Sequence, residues 1–89
     1  MRAIITVIGK DTIGILAKVS AKCAEYNANV IEVTQSIMQD LFCMIMLVDI
    51  SQLNSDFAKL SDAMQQLGEI QGLKIHTMHE DIFNCMHHI

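Results

Sequence analysis

The residues able to do chemistry form two groups, a C-terminal stretch bearing histidine and cysteine and a glycine-bounded turn near the start. His76 and His79 are followed by Cys85, His87 and His88, a set that invites a metal. Residues three apart on a strand point to opposite faces, so His76 and His79 cannot share an ion without a bulge. Cys85 and His88, at i and i+3 on a helical turn, could do so, but two ligands leave a tetrahedral zinc site half empty. These side chains read as surface histidines. Cys23, Cys43 and Cys85 are odd in number with no CxxC between them, which fits neither a disulfide framework nor a zinc ribbon and predicts reduced, cytosolic thiols. None of Ser20, Ser36, Ser51, Ser55 and Ser61 sits in a nucleophile elbow. No metal, no cofactor and no catalytic residue is predicted, and the chain does not read as an enzyme.

The turn Gly9-Lys10-Asp11-Thr12-Ile13-Gly14 offers different chemistry. A helix that starts here presents unpaired N–H groups and about half a positive charge, so the amides near Ile13, Gly14 and Ile15 could hold a carboxylate. Glycine at 14 would let a ligand or a neighbouring backbone come close. A purely structural role is the other reading: Gly14 lets the helix pack on a sheet, and Asp11 caps it.

Charge and composition narrow the partners. Six Lys+Arg against ten Asp+Glu give −4, and Arg2 is the one arginine, so the basic stripe that phosphate contacts need is missing and nucleic acid is not an expected partner. The longest apolar run, Leu41 to Val48, is less than half a bilayer span. Lys10 and Asp11 interrupt the apolar start before it could form an export signal, so neither a membrane partner nor secretion is expected. With 52% hydrophobic residues, no proline and four glycines in 89 residues, the chain reads as one domain, 1–89, rather than linker or disordered sequence.

Periodicity supplies the elements that must hold the turn. Arg2 to Ile8 is apolar on both sides of its alternation, a strand buried on both faces. From Ile13 to Asn27, Leu16, Val19, Cys23 and Tyr26 recur on one helical stripe, where burial keeps a thiol such as Cys23 inert. Asn27-Ala28-Asn29 closes this helix through a left-handed asparagine. Val30 to Gln39 has a wetter face, suiting an edge strand. Gln39-Asp40-Leu41 turns the chain into Phe42 to Ile50, again apolar on both faces. Asn54 or Ser55 is the N-cap candidate of a second helix carrying Phe57, Leu60, Met64 and Leu67, with fraying expected from Gly68 to Gly72. Leu73 to Glu80 is a last, more polar strand. Residues 81–89 form a short helical tail.

The order is β-α-β-β-α-β. Strands dry on both faces belong in the middle and wetter ones at the edges. Right-handed crossovers then give an α+β, ferredoxin-like sandwich: an antiparallel sheet in order 4-1-3-2 with both helices on one face. The third strand's second apolar face needs another cover, and a second copy of the chain is the simplest one. Other uses of this architecture fit poorly. The first turn has no CxxC for copper, the central strands have no aromatic pair for RNA bases, and the turn has no arginine for phosphate.

The run from Gly9 to Ala17, followed by Asn29-Val30-Ile31, resembles the ACT domain: a strand, a turn ending in glycine, an apolar helix start, and an asparagine opening the second strand. The resemblance covers the whole chain, since Phe42, Met44, Val48 and Asp49 fit the family's third strand. The tail from Glu80 to Ile89 is similar to the ending of a group of small stand-alone bacterial ACT proteins. The resemblance implies a non-catalytic regulatory module that associates through its sheets or edges as a homodimer. It also implies a small ligand, often an amino acid, bound between two copies. By position it matches Asp11 and Gly14 to the family's turn and Asn29 to its strand-opening asparagine; together with the helix-start amides, this makes Asp11, Thr12, Ile13, Gly14, Ile15 and Asn29 the expected ligand-binding residues. Members resembling the glycine-cleavage repressor usually carry Arg-Pro before the turn glycine, where this chain has Thr12-Ile13, so no particular amino acid is implied. An alternative is a protein-interaction adaptor that binds no metabolite and regulates a partner enzyme through a sheet edge or its tail.

Overall fold

The computed structural model describes residues 1–10 and 13–87. Its elements are β1 (Arg2–Lys10), α1 (Ile15–Glu25), β2 (Asn29–Met38), β3 (Leu41–Asp49), α2 (Phe57–Gln71), β4 (Lys74–His79) and α3 (Glu80–His87). The four strands form one sheet in the order β2-β3-β1-β4, every neighbour antiparallel. This is the predicted 4-1-3-2 arrangement read from the other edge, with the two continuously apolar strands at its centre.

Register decides which side chains meet. Ile5 of β1 lies between Met46 of β3 and Thr77 of β4, and Val7 between Met44 and Ile75. Ala3, Ile5, Val7, Met44, Met46 and Val48 form the fully buried floor beneath α1 and α2. Methionine fills the centre of this layer, as suits a chain with seven Met and four aromatics.

Several local expectations change. The buried face of α1 is Ile15, Val19 and Cys23, spaced by four, while Leu16 is exposed at 38%; the helix begins at Ile15 rather than Ile13, and its entry through Gly14 rotates the stripe by one residue. Asn27 takes the predicted left-handed conformation, φ 63°, and the Ala28 amide donates to the Cys23 carbonyl at 2.8 Å to close the end. The N-cap of α2 is Asp56, not Asn54 or Ser55. Asn54 instead uses its side-chain amide to donate to the Glu25 carbonyl at 3.0 Å, tying the end of α1 to the loop before α2. Rather than fraying at Gly68, α2 runs on to Gln71 and closes at Gly72, because β4 folds back over the buried Gly68.

The reverse face of the sheet differs from expectation at one end. Here α3, begun by the Arg2–Glu80 ion pair at 2.7 Å, folds across β1 and β4 and leaves Ile4 only 6% exposed. Further along the same face Ile8 stands 37% and Ile45 38% exposed, so β1 and β3 are dry on both sides only where the tail covers them. Among the described residues, no helix is long and apolar enough to cross a membrane.

Candidate functional site

The first turn is built by the handover from β1 to α1. Gly14 is the N-cap, held at φ 77° and ψ 18°, with no side-chain capping bond among the described residues. A left-handed N-cap costs most residues about 1–2 kcal/mol but glycine nothing of that kind. The first intrahelical bond runs from the Lys18 amide to the Gly14 carbonyl at 3.0 Å, so the amides that precede Lys18 at the start of α1 have no earlier carbonyl of the helix to reach. Among the described residues, nothing lies within 4 Å of the place a Gly14 side chain would occupy. Ile15 is buried and anchors the helix, whereas Ile13 projects into solvent at 91% exposure. The geometry is an open, dipole-positive helix start suited to an anionic group. Asp11 and Thr12 lie outside the described residues.

Asn29 is not beside this turn within one chain. Lys10 pairs with Leu41 and Asn29 with Asp49, the two ends of β3, so the length of a nine-residue strand, ~26 Å at 3.3 Å per residue, separates them. Asn29 instead lines a shallow cleft with Ala24, Asn27, Ala28 and Gln52. Alternation and motif gave Asn29 its place at the strand start. The strand register sets the distance.

Two arrangements had no signal in the sequence pattern. The His79 ring stacks on Phe57, centroids 4.2 Å apart, on the helix-covered face, while His76 is exposed opposite Thr6 on the other. The two histidines thus diverge as strand geometry demands, and among the described residues no three of His, Cys, Asp and Glu come together as a metal-holding group. Cys23 is enclosed under α1, and burial pushes its thiol up to about 11, so at neutral pH it is a protonated core group rather than a nucleophile.

The second arrangement ties the chain start to the end of β3. The N-terminal ammonium donates to Ser51 Oγ at 2.9 Å, and the Ser51 amide donates to Asp49 Oδ1 at 2.8 Å. That backbone donor, then the Ser51 hydroxyl, and more weakly the ammonium and Arg2, hold the Asp49 carboxyl below its ordinary value of 3.8 against a smaller desolvation effect. Because the folded value is the lower one, Asp49 stabilises the fold above its unfolded pKa, and this contribution disappears as pH falls through the folded value. Acid titration of thermal stability should therefore show a loss below pH ~4 that Asp49→Asn lacks; superimposable profiles would refute the assignment.

The family model of the ACT domain matches residues 2–78. The chain belongs to the ACT-domain family. A UPF0237 protein of Methanococcus maripaludis is 50% identical over 86 residues, covering 97% of this chain and 96% of that one. The solved ACT domain protein from Streptococcus pneumoniae superposes with a TM-score of 0.81 at 37% identity and 93% coverage of both chains. The regulatory subunit of aspartate kinase from Thermus thermophilus gives a TM-score of 0.63 at 25% identity, covering 85% of this chain and 49% of that one. The expected family holds, and its small relatives extend beyond bacteria to Methanococcus. In this ACT domain the glycine turn and the asparagine opening β2 occupy opposite ends of one sheet.

Proposed function

We propose that this ACT domain is a non-catalytic regulatory module that works as a homodimer in the cytoplasm and binds a small carboxylate-bearing molecule, an amino acid, at residues 11–15 and Asn29. The start of α1 carries the reading: an αL glycine with open space beside it and first-turn amides with no side-chain cap among the described residues. The regulatory role of the aspartate kinase subunit that shares the fold agrees with it.

A dimer also reunites the separated residues. β2 is an edge strand, and from Thr34 to Met38 its side chains are all exposed. If two copies pair antiparallel along β2, Asn29 of one comes to the end of the sheet that carries the hairpin and first turn of the other. Each ligand site then takes its helix start from one subunit and its asparagine from the partner.

Thermal denaturation against amino acids and central metabolites, with molecular mass measured in the same samples, tests this. A true ligand at a hundredfold excess over its Kd should stabilise the fold by ~2.7 kcal/mol. For a domain of this size each kcal/mol is worth ~4–8 °C in Tm. Gly14→Val should cost ~1–2 kcal/mol without ligand, from the positive φ alone, and should abolish the ligand shift. If no compound raises Tm, or Gly14→Val keeps every shift, the turn is structural and the adaptor reading takes its place.

A further inference from the structure

β4 closes the sheet at the edge opposite β2. It pairs with β1 in unbroken register from Lys74 to His79 and contains neither proline nor glycine. Of the devices that stop an edge from recruiting another strand, a bulge, a proline or a charge, it has only Lys74 at its start. Its outward N–H and C=O groups form a straight ladder with no strand on the other side.

A cleft of about 340 Å³ runs along this edge. Its floor is made by consecutive residues, 73–78. Consecutive strand residues point to opposite faces, so what they share on the cleft side is the backbone itself. The wall is Ser61, Gln65 and Glu69, spaced by four and therefore one stripe of α2. α2 runs antiparallel to β4, for Phe57 stacks on His79 at one end and Gly68 lies against Ile75 near the other. Glu69 thus stands at the Lys74 end of the edge and Ser61 towards its far end.

We infer that this cleft takes an extended segment of a partner protein, added antiparallel to β4 as a fifth strand beside the four of the sheet and lying along the polar wall of α2. Neither a carboxylate at the first turn nor pairing along β2 is needed for it, and a β2 dimer leaves β4 free.

Three features commit the cleft to such a segment. The first is its backbone floor. Donors and acceptors repeating at the strand spacing are matched by another extended polypeptide, whose main chain supplies affinity and whose alternate side chains supply specificity.

The second is Thr77. It shares the helix-covered side of the sheet with Ile75, and its Oγ1 is enclosed with no hydrogen-bond partner among the described residues. Buried polar atoms ordinarily have one. A Ser or Thr directly across from Thr77 on an added strand supplies it, a pairing common between neighbouring strands.

The third is charge. Glu69 faces the cleft from the helix side and Lys74 from the reverse side, and neither belongs to an ion pair among the described residues. A Lys or Arg across from Ile75 meets Glu69, and the next residue, turned to the other face, meets Lys74 with a carboxylate. In chain order the segment is Ser or Thr, any residue, Lys or Arg, then Asp or Glu.

NMR titration of the full chain with end-blocked hexapeptides tests the site. The probe Val-Thr-Val-Lys-Glu-Val at millimolar concentration should shift amides of β4 and the side-chain amide of Gln65, slow hydrogen exchange along the outer edge of β4, and leave Gly14 and β2 unchanged. The same peptide with Lys and Glu transposed should bind ~10-fold more weakly, having exchanged two exposed attractions for repulsions. Glu69→Lys combined with Lys74→Glu should invert that preference with Tm near that of wild type, since both residues are exposed. The probe N-methylated throughout, which keeps its side chains and loses its backbone donors, should not bind the wild-type chain. Equal binding of the N-methylated probe, equal binding of the two charge orders, the same shifts from free lysine and glutamate, no shift in β4, or protection of β4 by self-association without peptide would each overturn the inference.

Discussion

Ile5→Ala should lower the free energy of unfolding by about 4 kcal/mol, seen in urea as a fall in midpoint with little change in slope. Ile5 is completely buried, sits in the centre of the sheet between Met46 and Thr77, and belongs to the layer under both helices. Truncation removes the apolar area of three carbons and leaves a cavity that neighbours on paired strands cannot close. A domain of this length has roughly 4–13 kcal/mol in total at 0.05–0.15 kcal/mol per residue, so one substitution removes a large share. Ile8→Ala is the control: the same residue type on the same strand, but on the reverse face and 37% exposed. In dilute solution it should cost within ~1 kcal/mol. Equal losses at the two positions would mean that the two faces are equally buried, and the layered description would be wrong.

That contrast also shows what was readable in the sequence. The doubly apolar runs of β1 and β3 placed them at the centre of the sheet, because a central strand must be compatible with two dry faces and an edge strand need not. The same runs could not separate Ile4 from Ile8, which alternate onto one face. Only the return of α3 over Ile4 distinguishes them, and a tail of two helical turns carries no periodic signal about where it lands. The α1 stripe was legible to within one residue: Val19 and Cys23 were right, and Ile15 replaces Leu16 because the left-handed Gly14 sets the rotation of the helix about its axis. For the candidate site, residue types marked the turn and Asn29 separately. Their placement at opposite ends of β3 follows from pairing register, a long-range property that no local window contains.

Gly68 was misread for a related reason, and replacing it should produce the second large effect. In an exposed helix, glycine to alanine gains up to ~1 kcal/mol, and the fraying expected at Gly68 would leave such a gain intact. Here the chain turns back immediately after α2. The Leu73 amide donates to the Gly68 carbonyl at 2.7 Å, and a Cβ on Gly68 would stand 2.7 Å from the Leu73 carbonyl oxygen and 3.2 Å from Ile75 Cγ1. The oxygen belongs to the backbone and cannot swing away like the end of a side chain, so α2 and β4 must separate. Overpacking of this kind costs ~1–3 kcal/mol, which more than offsets the helical gain for alanine. Valine adds two methyl groups and a β-branched penalty, so Gly68→Val should lose about 3 kcal/mol. Ala58→Val, on the exposed side of α2, should lose under ~1 kcal/mol from propensity alone. Because the clash falls on β4, hydrogen exchange at Ile75 and Thr77 should accelerate more in Gly68→Val than exchange in β3. Melting of Gly68→Val at the temperature of Ala58→Val would show that the strand clears the helix, and the close packing of α2 on β4 would have to be abandoned.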